Sequence, residues 1–230
     1  MILITRPKKQ SRDLEILLNS KGHKTFLESL YKIKYLKSKI IFNKHNHYIF
    51  SSINSVQSLI LNKQIYKFQD ANIIAIGKKV KQALIDAGCK NILITSVDSN
   101  ALSKKLVNAK FKNYNFIYLC SNIVNDDFFK YIDKYNISMQ KKIIYKTLPS
   151  LKLTKNLVKY LELKKINGAI FFSKLSLEIF LSLIEKYSHK HLIKDIHFYC
   201  ISKRVASMAK FKKFKNIHIA LKPNQRLLVE

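Results

Sequence analysis

Two motifs recur in this 230-residue sequence at one constant separation, and this repeat restricts the possible folds most strongly. Residues 74–80, IAIGKKV, match residues 199–205, YCISKRV. Further along, NILI at 91–94 matches NIHI at 216–219, and both matches are offset by 125 residues. A constant offset at two separate motifs predicts that the chain contains two copies of one structural unit.

An earlier segment of each copy has the same character. HYIFSS at 47–52 and GAIFFS at 168–173 are both apolar strands that end in serine and precede a helical pattern. Each copy therefore reads strand, turn, helix, strand, turn, helix, strand, which is typical of parallel sheets flanked by helices. We expect an α/β fold of two similar parallel-sheet domains, with right-handed crossovers within each sheet.

The segments outside the copies suggest how the two domains are connected. Residues 1–5 form a short apolar run, and Leu14, Leu17 and Leu18 at helical spacing predict a helix that Gly22 closes. The alternating run from Phe26 to Tyr35 is interpreted as an extended segment leaving that unit, and KIIYKT at 142–147 as one that returns. We expect a discontinuous first domain (1–33 plus 150–230), an inserted α/β domain (38–141) and a two-stranded linker (about 30–37 and 142–149).

Small, polar or basic residues follow most of the predicted strands. In open parallel sheets ligands bind outside the carboxyl ends of the strands, and backbone N–H groups at helix starts attract anions there. The same serines could equally be helix N-caps without contact to a ligand. The candidate residues are Thr5, Arg6, Ser51, Ser52, Gly77, Lys78, Ser121, Ser173, Ser202 and Lys203.

The net charge of +29 raises the question of a nucleic-acid partner. Among 43 basic residues only four are arginine, the residue favoured for bidentate phosphate and guanine contacts, and the lysines are spread along the whole chain. We therefore expect no specific nucleic-acid partner, although part of the charge could serve a polyanionic small molecule. Three separated cysteines without a CxxC pair, no bilayer-length apolar run and no signal peptide predict an unexported cytoplasmic protein that does not enter a membrane.

Four features in a fixed order resemble the uroporphyrinogen-III synthase family over nearly the whole chain. They are Thr5-Arg6-Pro7 after the first strand, SSINSV at 51–56, the Ile76-Gly77 turn, and Tyr145 on the returning linker strand. The sequence departs from the family at Val80 and Val205, where a threonine hydroxyl is usual, at residues 120–124, and at Leu175 in the turn 173–176. These departures concern individual contacts more than the fold.

The resemblance implies an enzyme that closes hydroxymethylbilane to uroporphyrinogen III in an interdomain cleft, with loss of water and inversion of the terminal ring. It implies no metal or organic cofactor, a monomer, and a transient hand-over of substrate from the preceding enzyme of the pathway. Tyr145 is the candidate acid, because a phenol can donate a proton without carrying charge; its alternative role is an aromatic on a half-buried strand. Asn54 and Lys174 join the candidate substrate-binding residues, since the substrate carries eight carboxylates. The alternative function is a non-catalytic two-domain binding protein for a polyanionic small molecule.

Overall fold

The computed structural model describes residues 1–107, 111, 113–124 and 126–221. Within this part, the chain divides into two compact units: Met1–Lys32 with the described part of Leu148–Glu230, and Ile33–Thr147. We call them the first and the second unit. In chain order the elements are β1 (Ile2–Ile4), α1 (Lys8–Ser20), β2 (Thr25–Leu27), β3 (Tyr31–Tyr35), β4 (His47–Phe50), α2 (Ile53–Leu61), β5 (Asn72–Ile76), α3 (Lys78–Asp86), β6 (Ile92–Ser96), α4 (Ser99–Leu106), β7 (Phe116–Ser121), α5 (Asp126–Lys134), β8 (Met139–Pro149), α6 (Lys155–Glu162), β9 (Gly168–Phe171), α7 (Lys174–Lys186), β10 (His197–Cys200), α8 (Lys203–Phe211) and β11 (Ile217–Ile219).

Parallel pairing dominates both sheets. The first has the order β11-β10-β9-β1-β2, and its neighbouring strands run parallel throughout. The second has the order β3-β8-β7-β4-β5-β6, with parallel pairs from β8 through β6. The predicted α/β fold with parallel sheets is confirmed.

Burial on both faces explains the continuous apolar runs of the strands. In β4 and β9 every residue is buried, and alternate side chains enter different cores. In the first unit, for example, Leu3 lies in a core with α6, α7 and α8 residues, whereas its neighbour Ile4 packs with Leu14 and Leu18 of α1. The helices therefore cover both faces of the sheet, as crossover connections between parallel strands require.

The predicted extended run from Phe26 to Tyr35 is two strands, and the interruption has a clear cause. β2 pairs with β1 in the first sheet, while β3 belongs to the second. Between them the buried Glu28 carboxylate accepts hydrogen bonds from the Thr154 backbone N (3.1 Å) and hydroxyl (2.7 Å). Thr154 is the N-cap of α6, so the two hydrogen bonds connect the turn between β2 and β3 to the start of this helix.

No helix in the described part of the chain is long and apolar enough to cross a membrane.

Candidate functional site

The carboxyl ends of the parallel strands gather most of the predicted site residues at one edge of each sheet. In the first unit this edge carries residues 5–6, 172–174 and 201–203, and in the second unit residues 51–54, 77–78 and 121–122. We call these the first and the second carboxyl edge. Each is described within its own unit, and both have the location at which open α/β sheets bind ligands.

Four of the helices that follow the strands at these edges start with lysine, whereas α2 begins with Ile53 and α5 has Asp126 and Asp127 in its first turn. The first residues of α1, α3, α7 and α8 are Lys8, Lys78, Lys174 and Lys203, and none of these four helices has an acidic residue in its first turn. A helix N-terminus carries partial positive charge and normally favours acidic side chains. Lysines at this position add to that positive potential, although Lys174 is partly compensated by the Glu178 carboxylate 3.4 Å from its Nζ. A bound anion would relieve the remaining repulsion.

Arg6 lies at the first carboxyl edge, after the end of β1. Its guanidinium carbon is 3.7 Å from the centroid of the Phe172 ring, a cation–π arrangement, and Nη1 donates to the Gln10 carbonyl at 3.4 Å. Burial lowers the pKa of Arg6, and the proximity of Tyr31 opposes part of this change. Burial likewise raises the pKa of Tyr31, which Arg6 partly offsets. The Arg6 cation thus lies over the Phe172 ring and close enough to the Tyr31 phenol for the two groups to affect each other's pKa.

Other predicted residues of the first edge are engaged in local structure. The fully buried Thr5 hydroxyl donates to the Ile170 carbonyl at 2.7 Å, so it connects β1 to β9. Ser173 is the N-cap of α7 and accepts from the Ser176 backbone N at 3.1 Å. Ser202 occupies the N-cap position of α8, where no capping bond from its side chain occurs among the described residues. Of the three hydroxyls, that of Ser202 is the best placed to bind a ligand.

Ser51, Ser52 and Asn54 follow β4 at the second edge and also have local partners. Ser52 caps α2 by accepting from the Asn54 backbone N at 3.1 Å, and the Asn54 Oδ1 accepts from the Tyr35 hydroxyl at 3.3 Å. Ser51 hydrogen-bonds the phenol of Tyr118. Burial raises the pKa of Tyr118 to about 12, an effect that Cys120 and Tyr145 increase and that Ser51 partly offsets. The neutral Tyr118 phenol is therefore a neighbour of Tyr145.

Gly77 adopts a backbone conformation that few other residues tolerate. Its φ is +95°, in the positive region that disfavours side chains, although a Cβ added there would meet no atom within 4 Å. Its N–H donates to the Ser96 carbonyl at 2.7 Å, and α3 begins at the next residue, Lys78. The glycine thus makes the sharp turn that starts a helix directly at the second edge.

Tyr145 is buried, with 6% of its surface exposed, and lies in the core cluster that contains Phe50 and Val56. In the pairing of β7 with β8 it is opposite Ser121, immediately after a register shift that follows Cys120. The shift inserts one extra residue of β8 and brings Tyr145 to the end of β7. Its position at the second carboxyl edge depends on this irregularity.

Sequence reasoning missed three aromatic neighbours of these residues: Tyr31, Tyr118 and Phe172. Phe172 had one detectable signal, because it directly precedes the serine-ended turn of the second copy. Tyr31 lies inside the predicted extended run from Phe26 to Tyr35, and no sequence signal distinguishes it or Tyr118 from core aromatics. Among the sites of departure from the family, Val80 and Val205 are buried, with 5% and 4% exposed, and pack in the core clusters of their units.

Metal ligands do not cluster in residues 1–107, 111, 113–124 and 126–221: no group of three or more His, Cys, Asp or Glu side chains there could hold a metal ion. The three cysteines are buried and free.

Comparison with known proteins identifies the family to which the chain belongs. No curated protein sequence matches the chain. Solved structures that are similar to it include uroporphyrinogen-III synthetase from Helicobacter pylori (TM-score 0.67, 16% identity, 99% of this chain and 95% of that one). Another is a mutant uroporphyrinogen III synthase from Thermus thermophilus (TM-score 0.65, 11% identity, 100% of this chain and 96% of that one). At these identities the similarity shows the fold. The sequence profile of uroporphyrinogen-III synthase HemD matches residues 4–230, and the chain therefore belongs to the uroporphyrinogen-III synthase family.

Proposed function

We propose that this protein cyclises hydroxymethylbilane to uroporphyrinogen III by binding the substrate carboxylates at both carboxyl edges, with Tyr145 assisting departure of the terminal hydroxyl. The family supplies the lyase activity and the substrate. One observation supports the proposed binding mode: helices α1, α3, α7 and α8 begin at these edges with lysine and have no acidic residue in the first turn.

The eight carboxylates of the substrate require many hydrogen-bond donors on the protein, and each donor can bind a single carboxylate oxygen. Lys78, Lys174 and Lys203 supply ammonium groups, and the helix starts beside them supply backbone N–H groups. Each helix-terminus contact contributes roughly 0.3–1 kcal/mol at an exposed site. Several such contacts can therefore hold a flexible linear tetrapyrrole in the folded conformation that ring closure requires. At the first edge Arg6 adds a partly desolvated charge, for which the contribution is larger.

Hydroxyls and the Asn54 amide complete the proposed set of substrate contacts. Ser51, Ser52 and Asn54 belong to the second edge, and Ser173 and Ser202 to the first. The Ser52 hydroxyl already accepts a capping bond, so it can still donate to a carboxylate oxygen. The Ser173 hydroxyl accepts a capping bond and donates to the Ser176 hydroxyl at 3.1 Å, so it would have to exchange that partner to bind the substrate. Thr5 is left out of the proposed contacts because its buried hydroxyl donates to the Ile170 carbonyl. Ser121 is left out for the same reason, since its buried hydroxyl lies 2.9 Å from both the Asn122 Oδ1 and the Thr147 hydroxyl.

The chemical step assigned to Tyr145 is proton donation. The phenol protonates the terminal hydroxyl, the carbon–oxygen bond breaks, and water leaves a cationic azafulvene that the electron-rich pyrroles stabilise. Inversion of the last ring breaks its bond to the preceding methylene carbon and forms two new carbon–carbon bonds, one at each α-carbon of that ring. The previously unsubstituted α-carbon loses its proton, which returns to Tyr145. Protons and electrons balance, and no other reagent is consumed. The neighbouring Tyr118 stays neutral, because its pKa is raised to about 12, and leaves the site without an added negative charge.

We also propose that the chain acts as a cytoplasmic monomer that receives its substrate by transient hand-over from the preceding enzyme. Three free, buried cysteines agree with a reducing compartment. The proposed domains are 1–33 plus 150–230 and 38–141, connected by linker strands at about 30–37 and 142–149. This assignment is supported by the compact units, which divide between residues 32 and 33 and between 147 and 148.

Steady-state kinetics of Tyr145→Phe test the proton-donor role. We expect kcat to fall about ten- to a hundredfold, with KM changed less than about twofold, because the lost proton acts in the transition state. Tyr48→Phe is the matched control: Tyr48 is buried in the same core cluster, and its hydroxyl bonds the Asn43 backbone instead of reaching the carboxyl edge. Equal kcat values for Tyr145→Phe and the unmodified enzyme would contradict the role.

A further inference from the structure

The first unit contains a cavity of about 650 Å³ whose lining is dominated by lysine. This volume lies within the range typical of small-molecule sites. We call it the lysine pocket and define it by its lining residues: Lys190, His191, Lys194, Asp195, Lys212, Lys213, Phe214, Lys215 and Asn216.

The lysine pocket lies at the amino ends of β10 and β11. Residues 190–195 directly precede β10, and residues 212–216 directly precede β11. Because the two strands are parallel, their amino ends share the sheet edge that is opposite to the first carboxyl edge. The pocket is therefore separate from the residues to which we assign substrate binding.

Specific contacts fix the two lining segments. The Asn216 side chain donates to the Asp195 carbonyl at 3.4 Å, and the Lys212 Nζ is 2.9 Å from the Glu185 carboxylate. The Phe214 ring packs on the buried ring of Phe198 with centroids 4.6 Å apart. Phe214 thus forms a fixed apolar wall beside the ammonium groups.

The charge density of the pocket exceeds the background of this basic chain. Five of its nine lining residues are lysine, whereas 43 of 230 residues in the whole sequence are lysine or arginine. Asp195 is the one acidic side chain among these nine residues. Charges of one sign around a concave surface focus the electric field and raise the local concentration of oppositely charged ions.

Helix termini account for only part of this arrangement. Lys212 is the C-cap of α8 and Lys213 follows it with φ +63°, and a cation at a helix C-terminus is favourable. Lys190 and Lys194 come from a different segment, the 3-10 helix His189–Ile193 before β10, where they also lie at a helix C-terminus, and Lys215 lies beyond the α8 turn. The α8 terminus therefore does not explain why lysines from two segments line the same cavity.

We propose that the lysine pocket binds a small polyanion with at least two phosphate or carboxylate groups, and with an apolar portion that contacts Phe214. Lysine ammonium groups are mobile point charges that suit several separated anionic groups, and the pocket lining has no arginine fork for a single bidentate contact. The site is independent of the catalytic assignment, because it shares no residue with either carboxyl edge.

Isothermal titration of the full chain with inorganic triphosphate and with citrate tests this site, with sodium chloride at matched ionic strength as the reference. The test variant is Lys194→Gln/Lys215→Gln, which removes two exposed charges of the pocket. The matched control is Lys130→Gln/Lys134→Gln, which removes two exposed charges from α5 of the second unit. Thermal unfolding verifies that both variants are folded.

We expect at least one of the two anions to bind, and the pocket variant to weaken its binding about tenfold, while the control changes it less than about twofold. NMR signals of the His191 ring should shift on titration, whereas those of the exposed His45 should not. Tighter binding of triphosphate would identify a phosphate-bearing ligand, and tighter binding of citrate a polycarboxylate. Absence of binding, or equal weakening by both variants, would overturn the proposal, because the charge would then act only as a diffuse background.

Discussion

The hydroxyls of Ser121 and Thr147 lie 2.9 Å apart where β7 pairs with β8, and both residues are buried. The Thr147 backbone N also donates to the Asn122 Oδ1 at 2.8 Å. Hydrogen bonds of both its side chain and its backbone therefore connect Thr147 to residues 121–122. On the other side of Tyr145, the Ile144 carbonyl accepts from the Ser58 hydroxyl at 2.7 Å. Hydrogen bonds on both sides of Tyr145 thus fix the backbone that carries the proposed proton donor.

Removal of one hydroxyl of this pair should destabilise the fold. We expect Ser121→Ala to lower the free energy of unfolding by about 1–2 kcal/mol, because the Thr147 hydroxyl loses a partner in a buried position. Urea denaturation measures the change. Ser20→Ala is the control, since its hydroxyl bonds the Leu17 carbonyl at an exposed position, and it should cost less than about 0.5 kcal/mol.

The double variant Ser121→Ala/Thr147→Val sharpens this test. Because both polar groups are then removed together, it should be no less stable than Ser121→Ala alone. Strictly additive losses in the two single variants and the double variant would show that the hydroxyls do not interact.

Arg6 should contribute to substrate affinity more than to fold stability. Its guanidinium is held over Phe172 at the first carboxyl edge, so we expect Arg6→Gln to raise KM for hydroxymethylbilane about tenfold by removing one charged carboxylate contact. Arg12→Gln, an exposed substitution on α1, removes the same charge and should leave KM within about twofold. If both variants raise KM equally, Arg6 acts only through the overall charge of the protein.

The three cysteines should be unreactive in the folded protein. Burial raises the pKa of the Cys89, Cys120 and Cys200 thiols to about 11, so at pH 8 almost no thiolate is present. A chromogenic disulfide reagent at pH 8 should detect no thiol within minutes, and all three after unfolding in guanidinium. Rapid reaction of any cysteine under native conditions would show that it is more exposed than the structure indicates.

The same three thiols should make the free energy of unfolding decrease at alkaline pH. Their folded-state pKa values lie above the ordinary value of 9.0, so the folded state retains protons that the unfolded state has lost. Their contribution to stability is present in full below pH 9 and is lost as the pH rises towards 11. Urea denaturation between pH 8 and 11 should show a steeper decline for the unmodified protein than for a Cys89→Ala/Cys200→Ala variant. An equal decline of the free energy of unfolding with pH in both proteins would show that the thiols do not cause it.

Much of the fold could be predicted because its determinants are local or repeated. Alternating burial is absent from β4 and β9, and their continuous apolar runs indicated strands covered on both faces. The serines and the glycine after these and the following strands marked the starts of helices, as the caps at Ser52 and Ser173 and the turn at Gly77 show. The constant offset between the two copies then predicted parallel sheets.

Several features of the site could not be predicted because they depend on contacts between distant residues. The register shift that brings Tyr145 opposite Ser121 arises from the pairing of β7 with β8, which no local pattern encodes. Thr5 resembles a ligand-binding residue in the sequence, yet its hydroxyl bonds Ile170, a residue 165 positions away. The position of Arg6 on the Phe172 ring likewise required the parallel arrangement of β1 and β9.

The isomer ratio of the cyclised product tests the central claim most directly. Purified protein is incubated with freshly generated hydroxymethylbilane, and the uroporphyrinogen isomers are separated and quantified against a protein-free reaction. The account predicts that isomer III predominates and forms faster than the spontaneous product. Formation of the symmetric isomer alone, at the uncatalysed rate, would contradict it.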